Sequence, residues 1–172
     1  MFIIVTGVIG VGKSIVCRRL IQIIRDNGLV CGGILTFKSA EGGITIEDVQ
    51  SGKKAPLAKI NDGASSGPRT ARYLFNQSGI DFGIQALYKA VSADVMVIDE
   101  IGQLELRGEG LVSALDIIKS GRFKNCVLVI RKALLPLYLP QFSTFLRVFE
   151  TTVENRNKLP QEISSILLEE PD

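Results

Sequence analysis

Short apolar runs alternate along this chain with segments in which apolar residues recur every three or four positions. The runs are short and rich in β-branched residues, which predicts buried strands. They cover residues 2–6, 29–37, 95–98, 126–130 and 145–151. The periodic segments predict amphipathic helices over residues 13–27, 84–91, 111–118 and 159–167. The alternation of apolar strands with helices predicts an α/β fold with a mostly parallel sheet.

The stretch from about residue 41 to residue 76 has a different pattern. Short β-like pieces alternate there with turn signals such as Glu41-Gly42-Gly43 and Asn61-Asp62-Gly63. We predict an antiparallel β insertion within a single domain that spans residues 1–172. A second, linked domain is the alternative, although the stretch is short for an independent core. The pattern over residues 133–142 is ambiguous.

Composition narrows the chemistry that is open to the protein. The 172 residues include 20 Lys and Arg against 18 Asp and Glu, a net charge of +2 that gives no reason to expect a nucleic-acid or membrane partner. The absence of His from the sequence excludes His-dependent triads and the commonest catalytic zinc sites. The longest late uncharged run is broken by Pro136 and Pro140 and is shorter than the roughly 20 residues of a membrane-spanning helix. Three scattered cysteines predict free thiols in a reducing cytoplasm.

A glycine-rich segment between the first predicted strand and the first predicted helix fits the P-loop pattern Gly-x-x-x-x-Gly-Lys-Ser/Thr. Its residues are Gly7, Val8, Ile9, Gly10, Val11, Gly12, Lys13 and Ser14. In such a loop the backbone N–H groups and the helix N-terminus bind phosphates. We expect Lys13 to contact the β- and γ-phosphates and Ser14 to offer a hydroxyl to Mg²⁺. The alternative is a strand-to-helix turn that binds nothing, but the strand and the helix on either side support the motif.

An acidic pair, Asp99 and Glu100, follows the apolar strand at residues 95–98. The carboxyl ends of parallel strands meet at one edge of a sheet, where the P-loop also lies. Asp99 is then placed to bind Mg²⁺ through water, as in a Walker B element. Glu100 is placed to orient and deprotonate a water beside the γ-phosphate. The alternative is a pair of charges that simply begins a solvated loop.

Two longer segments resemble a known family. Residues 99–106 read Asp-Glu-Ile-Gly-Gln-Leu-Glu-Leu, and residues 152–156 read Thr-Val-Glu-Asn-Arg. Together with the P-loop they are similar to the THEP-type nucleoside-triphosphatase family, also known from the cancer-related nucleoside-triphosphatase. The resemblance covers essentially the whole chain. It implies a three-layer, RecA-like P-loop fold and Mg²⁺-dependent hydrolysis of several nucleoside triphosphates, such as ATP and GTP.

Four further residues carry two interpretations each. Asn155 and Arg156 follow the last predicted strand and are expected near the nucleotide base, where Asn can hydrogen-bond and Arg can stack. The alternative is that Asn155 or Asn157 caps the start of the last helix. Glu105 is either functional or a structural partner of a nearby amide. Arg131 points either at the γ-phosphate or into solvent.

Hydrolysis of a nucleoside triphosphate is the function that these observations favour. A small-molecule or nucleoside kinase on the same fold is the first alternative, although residues 133–146 lack the Arg-bearing lid that such kinases use. A nucleotide-dependent switch or motor is the second. The acidic pair also predicts a strand order in which residues 126–130 lie between residues 2–6 and 95–98.

Overall fold

The computed structural model describes residues 1–142 and 146–169, and within them eight strands form one sheet. The strands are β1 (Phe2–Gly7), β2 (Cys31–Lys38), β3 (Ile44–Asp48), β4 (Lys54–Ile60), β5 (Tyr73–Phe75), β6 (Val95–Ile101), β7 (Cys126–Arg131) and β8 (Leu146–Glu150). Their order across the sheet is β5-β4-β3-β2-β6-β7-β1-β8. The predicted strand order is therefore confirmed, because β7 separates the P-loop strand β1 from the acidic-pair strand β6.

Strand direction divides the sheet into two parts. The five strands from β2 to β8 along the order pair in parallel. Beyond β2, the strands β3, β4 and β5 pair antiparallel and extend the same sheet. The antiparallel character predicted for the insertion is confirmed, and its strands lie beside the parallel core as a continuation of it.

Six α-helices accompany the sheet in the part of the chain that the structure describes. They are α1 (Lys13–Asp26), α2 (Gln77–Ala90), α3 (Gln103–Leu106), α4 (Ser113–Ser120), α5 (Leu135–Tyr138) and α6 (Leu159–Leu168). α1 ends where Gly28 takes a φ of 79°, and the N–H groups of residues 27–29 return to the last carbonyls of the helix. The Asn76 side chain accepts a hydrogen bond from the backbone N–H of Ser78 and caps α2. No helix in the described residues is long and apolar enough to cross a bilayer.

The core has two apolar layers, one on each face of the sheet. Successive residues of a strand point to opposite faces, so Ile3 and Val5 of β1 pack with α1 and α6. Phe2 and Ile4 pack with α2 and α4 on the other face. This arrangement of helices, sheet and helices confirms the three-layer α/β class with a mostly parallel sheet.

The ambiguous segment contains α5 and a 3₁₀ turn at Leu139–Gln141. Residue 145, the predicted start of the last strand, lies outside the described residues. The second predicted helix is present but begins earlier, at Gln77. Of its expected apolar stripe of Ile84, Leu87, Tyr88 and Val91, only Tyr88 is wrong, because the other three pack against the core.

Tyr88 is 59% exposed, and the buried face of α2 contains Gly79 and Gly83 beside Ile80 and Leu87. A Cβ at Gly79 would lie 2.2 Å from the carbonyl oxygen of Pro56 on β4, and one at Gly83 would lie 2.6 Å from Ile46 on β3. The helix thus approaches the insertion so closely that only glycine fits at position 79, whereas a side chain at position 83 would have to displace the ends of the Ile46 and Leu111 side chains. A search for large apolar residues does not detect the two glycines of this face.

Candidate active site

The P-loop connects β1 to α1 at the carboxyl edge of the parallel strands. Gly7, Gly10 and Gly12 have positive φ values of 149°, 81° and 111°, which side chains disfavour. Space matters as well at Gly7, because a Cβ there would lie 2.8 Å from the carbonyl oxygen of Thr151. The loop can therefore adopt its curled shape only with glycine at this position, and α1 begins directly after it.

The Lys13 side chain folds back over the loop. Its Nζ donates hydrogen bonds to the carbonyl oxygens of Gly7, at 3.1 Å, and Val8, at 2.9 Å. Burial lowers the pKa of Lys13, and the nearby Glu100 carboxylate acts in the opposite direction. The ammonium is thus held where phosphate oxygens can replace the two carbonyls as hydrogen-bond acceptors.

A bulge at the end of β6 places both members of the acidic pair. Ile98 pairs with Leu128 and Ile101 pairs with Ile130, so β6 has one residue more than β7 between these pairs. An extra residue in a strand interrupts the regular alternation of side chains. Asp99 and Glu100 both line the cleft beside the P-loop.

Asp99 lies deep in this site, with a relative exposure of 1%. Burial raises its pKa to about 7, against the opposing effects of hydrogen bonds from the Ser14 hydroxyl and the Thr36 backbone N–H. Its Oδ2 atom is buried and has no hydrogen-bond partner among the described residues.

An unpaired carboxylate oxygen beside a hydroxyl suits Mg²⁺. This ion prefers oxygen ligands and uses one or two from the protein, together with waters and substrate phosphates. The described residues contain no group of three or more acidic or thiol side chains that could hold a metal by themselves. The donor set of Asp99 and Ser14 therefore fits an ion that arrives with a nucleotide.

Glu100 lies nearer the surface and has a different partner. Its Oε1 accepts a hydrogen bond from Nε of Arg131 at 2.5 Å. The Glu100 side chain is 21% exposed and that of Arg131 is 43% exposed. The sequence interpretation of Arg131 named only the γ-phosphate and solvent, and it missed this ion pair.

Arg156 contacts the P-loop near its C-terminal end, at Val11 and Gly12. Its Nη1 donates to the carbonyl oxygen of Val11 at 3.3 Å, and its Cδ lies 3.2 Å from the position that a Cβ at Gly12 would take. Asn155 holds the loop that carries Arg156, because its side chain accepts from the Thr152 N–H and donates to the Glu150 carbonyl. The alternative interpretation of Asn155 or Asn157 as a helix cap is wrong, because Lys158 is the N-cap of α6.

Glu105 and Tyr138 support the segment behind the acidic pair. The two oxygens of Glu105 accept from the backbone N–H groups of Gly102, at 2.7 Å, and Leu111, at 2.8 Å. The buried Tyr138 hydroxyl donates to the carbonyl oxygen of Gly102 at 2.5 Å. These contacts favour the structural interpretation of Glu105. Sequence reasoning missed Tyr138 because its segment had no clear periodicity.

A cleft of about 440 Å³ opens over these groups and extends to the β insertion. Ser14, Asp99, Glu100 and Arg131 line its inner end. Its outer end is lined by residues of β4, β5 and the preceding turn, which include Leu57, Thr70, Arg72, Tyr73 and Phe75.

A P-loop beside an acidic pair at the carboxyl edge of a parallel sheet is typical of the P-loop enzymes that act on nucleoside triphosphates. The chain matches the NTPase family over residues 2–164. It is 32% identical to the nucleoside-triphosphatase THEP1 of Methanosarcina barkeri, over 95% of each chain. It is 31% identical to the THEP1 of Pyrococcus abyssi, over 92% of this chain and 88% of that one. The chain therefore belongs to the THEP1-type nucleoside-triphosphatase family and is an enzyme of the NTPase class.

A solved structure shows the same fold. The crystal structure of THEP1 from the hyperthermophile Aquifex aeolicus superimposes with a TM-score of 0.76 at 24% identity, and the match covers 98% of this chain and 100% of that one. This likeness independently supports the α/β class and the sheet described above.

Proposed function

We propose that the chain catalyses the Mg²⁺-dependent hydrolysis of nucleoside triphosphates, ATP and GTP among them, to diphosphate and phosphate. The observation that carries the proposal is the separation of the two neighbouring carboxylates. Asp99 is fully buried and adjoins Ser14, whereas Glu100 faces the cleft beside Arg131. One carboxylate is thus suited to the metal and the other to a water molecule.

The P-loop binds the triphosphate in this proposal. Backbone N–H groups of residues 7–14 and the N-terminus of α1 face the phosphates. Lys13 exchanges its two carbonyl partners for β- and γ-phosphate oxygens, and it stabilises the charge that develops on them during the reaction. Ser14 and Asp99 would hold Mg²⁺, which would neutralise part of the charge of the triphosphate.

Glu100 acts on the attacking water. The water oxygen forms a bond to the γ-phosphorus while the bond to the β–γ bridging oxygen breaks. The water proton passes to the Glu100 carboxylate, and the bridging electron pair leaves with the diphosphate. A positioned base of this kind contributes about 10²–10⁴-fold to the rate.

We assign the nucleobase of the substrate to the end of the P-loop at Gly12. Arg156 lies against Gly12 there, and its planar guanidinium can stack on a ring. Asn155 fixes the turn that presents Arg156. Direct contact of Asn155 with the base stays a prediction.

The β insertion belongs to the same domain in this proposal, because β3 pairs directly with β2 of the parallel core. We also infer a cytoplasmic location from three buried, free cysteines, which suit a reducing compartment.

The substitution Glu100→Gln tests the hydrolytic mechanism. Gln keeps the shape of the side chain but cannot take a proton, so kcat should fall by about 10²–10⁴-fold while a non-hydrolysable triphosphate still binds. Steady-state phosphate release and calorimetry measure the two quantities. Glu162→Gln, an exposed change on α6, is the matched control and should leave both unchanged. A near-wild-type kcat in Glu100→Gln contradicts the role, and loss of binding together with rate places Glu100 at the metal instead.

The cleft gives one observation in favour of the kinase alternative. It continues beyond Glu100 to Arg72 and Tyr73 of the insertion, which leaves room for a phosphoryl acceptor. Release of phosphate without any added acceptor supports hydrolysis. Turnover that requires a nucleoside or its monophosphate, with a phosphorylated product, supports the kinase.

A further inference from the structure

Arg131 occupies the position between the two halves of the catalytic site. It is the last residue of β7, the strand that lies between β1 and β6. On one side it is in register with Gly7, the first residue of the P-loop. On the other side, its neighbour Ile130 pairs with Ile101, directly after the acidic pair. The guanidinium therefore leaves the sheet where the γ-phosphate and the attacking water meet in the proposed mechanism.

The contacts of this guanidinium leave most of its donors available. Nε donates to Oε1 of Glu100, and within residues 1–142 and 146–169 the guanidinium makes no other hydrogen bond. The four remaining N–H groups belong to the two Nη atoms, which form a planar fork that matches phosphate oxygens. The side chain is 43% exposed and lines the cleft, so these groups are accessible to a ligand there.

The ion pair of Glu100 and Arg131 reduces the electrostatic repulsion between Glu100 and a bound triphosphate. A carboxylate beside a triphosphate faces a group of the same sign, which disfavours their approach. The Arg131 guanidinium sets a positive charge between them, and it is close enough to Lys13 to lower the pKa of that ammonium after the larger effect of burial. A Glu100 carboxylate paired with Arg131 can therefore lie beside the γ-phosphate with less repulsion.

We propose that Arg131 bridges Glu100 and the γ-phosphate and so serves as an arginine finger that the chain supplies to itself. Nε keeps the carboxylate directed at the attacking water, while the Nη groups bind the γ-phosphate oxygens as their charge is redistributed in the transition state. This inference rests on the proposed hydrolysis and deepens it. It also implies that one chain contains the complete site, so that turnover per molecule is independent of protein concentration.

Arg131→Ala removes both contacts, and Arg131→Lys keeps the charge but loses the fork. An arginine finger contributes about 10³–10⁵-fold to kcat, so Arg131→Ala should lower kcat by at least about 10³-fold. Arg131→Lys should recover only a small part of this loss. Free guanidinium at low concentration should restore part of the rate to Arg131→Ala. Lys132→Gln is the matched control, because the Lys132 side chain pairs with Glu150 at the surface and should leave kcat unchanged.

Two binding measurements by calorimetry separate transition-state contacts from structural ones. A non-hydrolysable triphosphate with Mg²⁺ reports the ground state, and the diphosphate with Mg²⁺ and aluminium fluoride reports the transition state. Arg131→Ala should bind the first within about tenfold of the wild type and should lose the tighter binding of the second. Thermal unfolding of each variant shows whether it is folded.

Four results would overturn the proposal. They are a near-wild-type kcat in Arg131→Ala, an equal loss of affinity for both complexes, no preference of the wild type for the aluminium fluoride complex, and wild-type turnover per molecule that rises with protein concentration. The last result would show that another copy supplies the arginine. If the wild type releases no phosphate at all, the proposed hydrolysis fails, and the two affinities still decide whether Arg131 contacts the γ-phosphate position.

Discussion

Replacement of Asp99 by Asn should stabilise the metal-free, nucleotide-free protein while it impairs function. The carboxylate is 1% exposed, its Oδ2 has no partner among the described residues, and burial raises its pKa to about 7. An ionised carboxylate in this position lowers the free energy of unfolding. Asn has nearly the same shape and cannot ionise, so it should relieve this effect.

The pKa of Asp99 sets the size of this effect on the free energy of unfolding and the direction in which it changes with pH. The rise from 3.8 to about 7 spans about 3 pKa units, and each unit corresponds to about 1.36 kcal/mol, or about 4 kcal/mol in total. Because the pKa is higher in the folded state, the wild type has no penalty below about pH 4 and the full penalty above about pH 7. The difference in free energy of unfolding between Asp99→Asn and the wild type should therefore widen by about 2–3 kcal/mol from about pH 5 to about pH 8.

Urea unfolding of both proteins at the two pH values, with a chelator present, measures this change. The widening with pH isolates the ionisation of Asp99, since any fixed effect of the new amide on Ser14 and Thr36 is the same at both pH values. Asp116→Asn, an exposed change on α4, is the control and should show little change with pH. A difference between Asp99→Asn and wild type that is equal at both pH values would refute the reasoning.

Other substitutions test other parts of the site and fold. Lys13→Ala should weaken the affinity for a non-hydrolysable triphosphate by roughly ten- to hundredfold, as measured by calorimetry, and unchanged affinity would place the phosphates elsewhere. In Glu105→Gln, an amide N–H donor would face one of the two backbone N–H groups that now donate to Glu105. The free energy of unfolding in urea should therefore fall by about 1–3 kcal/mol. Gly33→Ala would put a Cβ 2.0 Å from the Val97 carbonyl oxygen at a φ of 105°. Its thermal unfolding midpoint should fall well below that of Gly28→Ala, where φ is also positive but the space is open.

The fold could be predicted where the sequence signal is local. Buried parallel strands are apolar throughout, so β1, β6 and β7 were evident from short apolar runs. The order of these three strands could be predicted because an acidic pair such as Asp99 and Glu100 is typical of the P-loop subclass in which one strand separates β1 from β6. The first part of α2 could not be predicted from an apolar stripe, because glycines at 79 and 83 make its contact with the insertion. No local sequence pattern indicates which edge of the sheet carries the insertion.

The candidate site also has parts that could be predicted from the sequence and parts that could not. The P-loop and the acidic pair were predictable because phosphate and metal chemistry require fixed residue types at short spacing. The pairing of Glu100 with Arg131 joins residues 31 positions apart on neighbouring strands. Only the register of β6 and β7 brings them together. Tyr138 likewise reaches Gly102 from a segment 36 positions away.

The glycine contacts of α2 have a mechanical consequence. The helix packs against β2 and β6 of the parallel core and also against β3 and β4 of the insertion. α2 therefore connects the parallel core to the insertion. A hinge motion between these two parts would have to separate Gly79 from the backbone of β4. We therefore expect the outer wall of the cleft to move with the core, and nucleotide to enter and leave through local displacement of side chains and turns. The backbone amides of β3 should accordingly exchange with deuterated solvent nearly as slowly as those of β2.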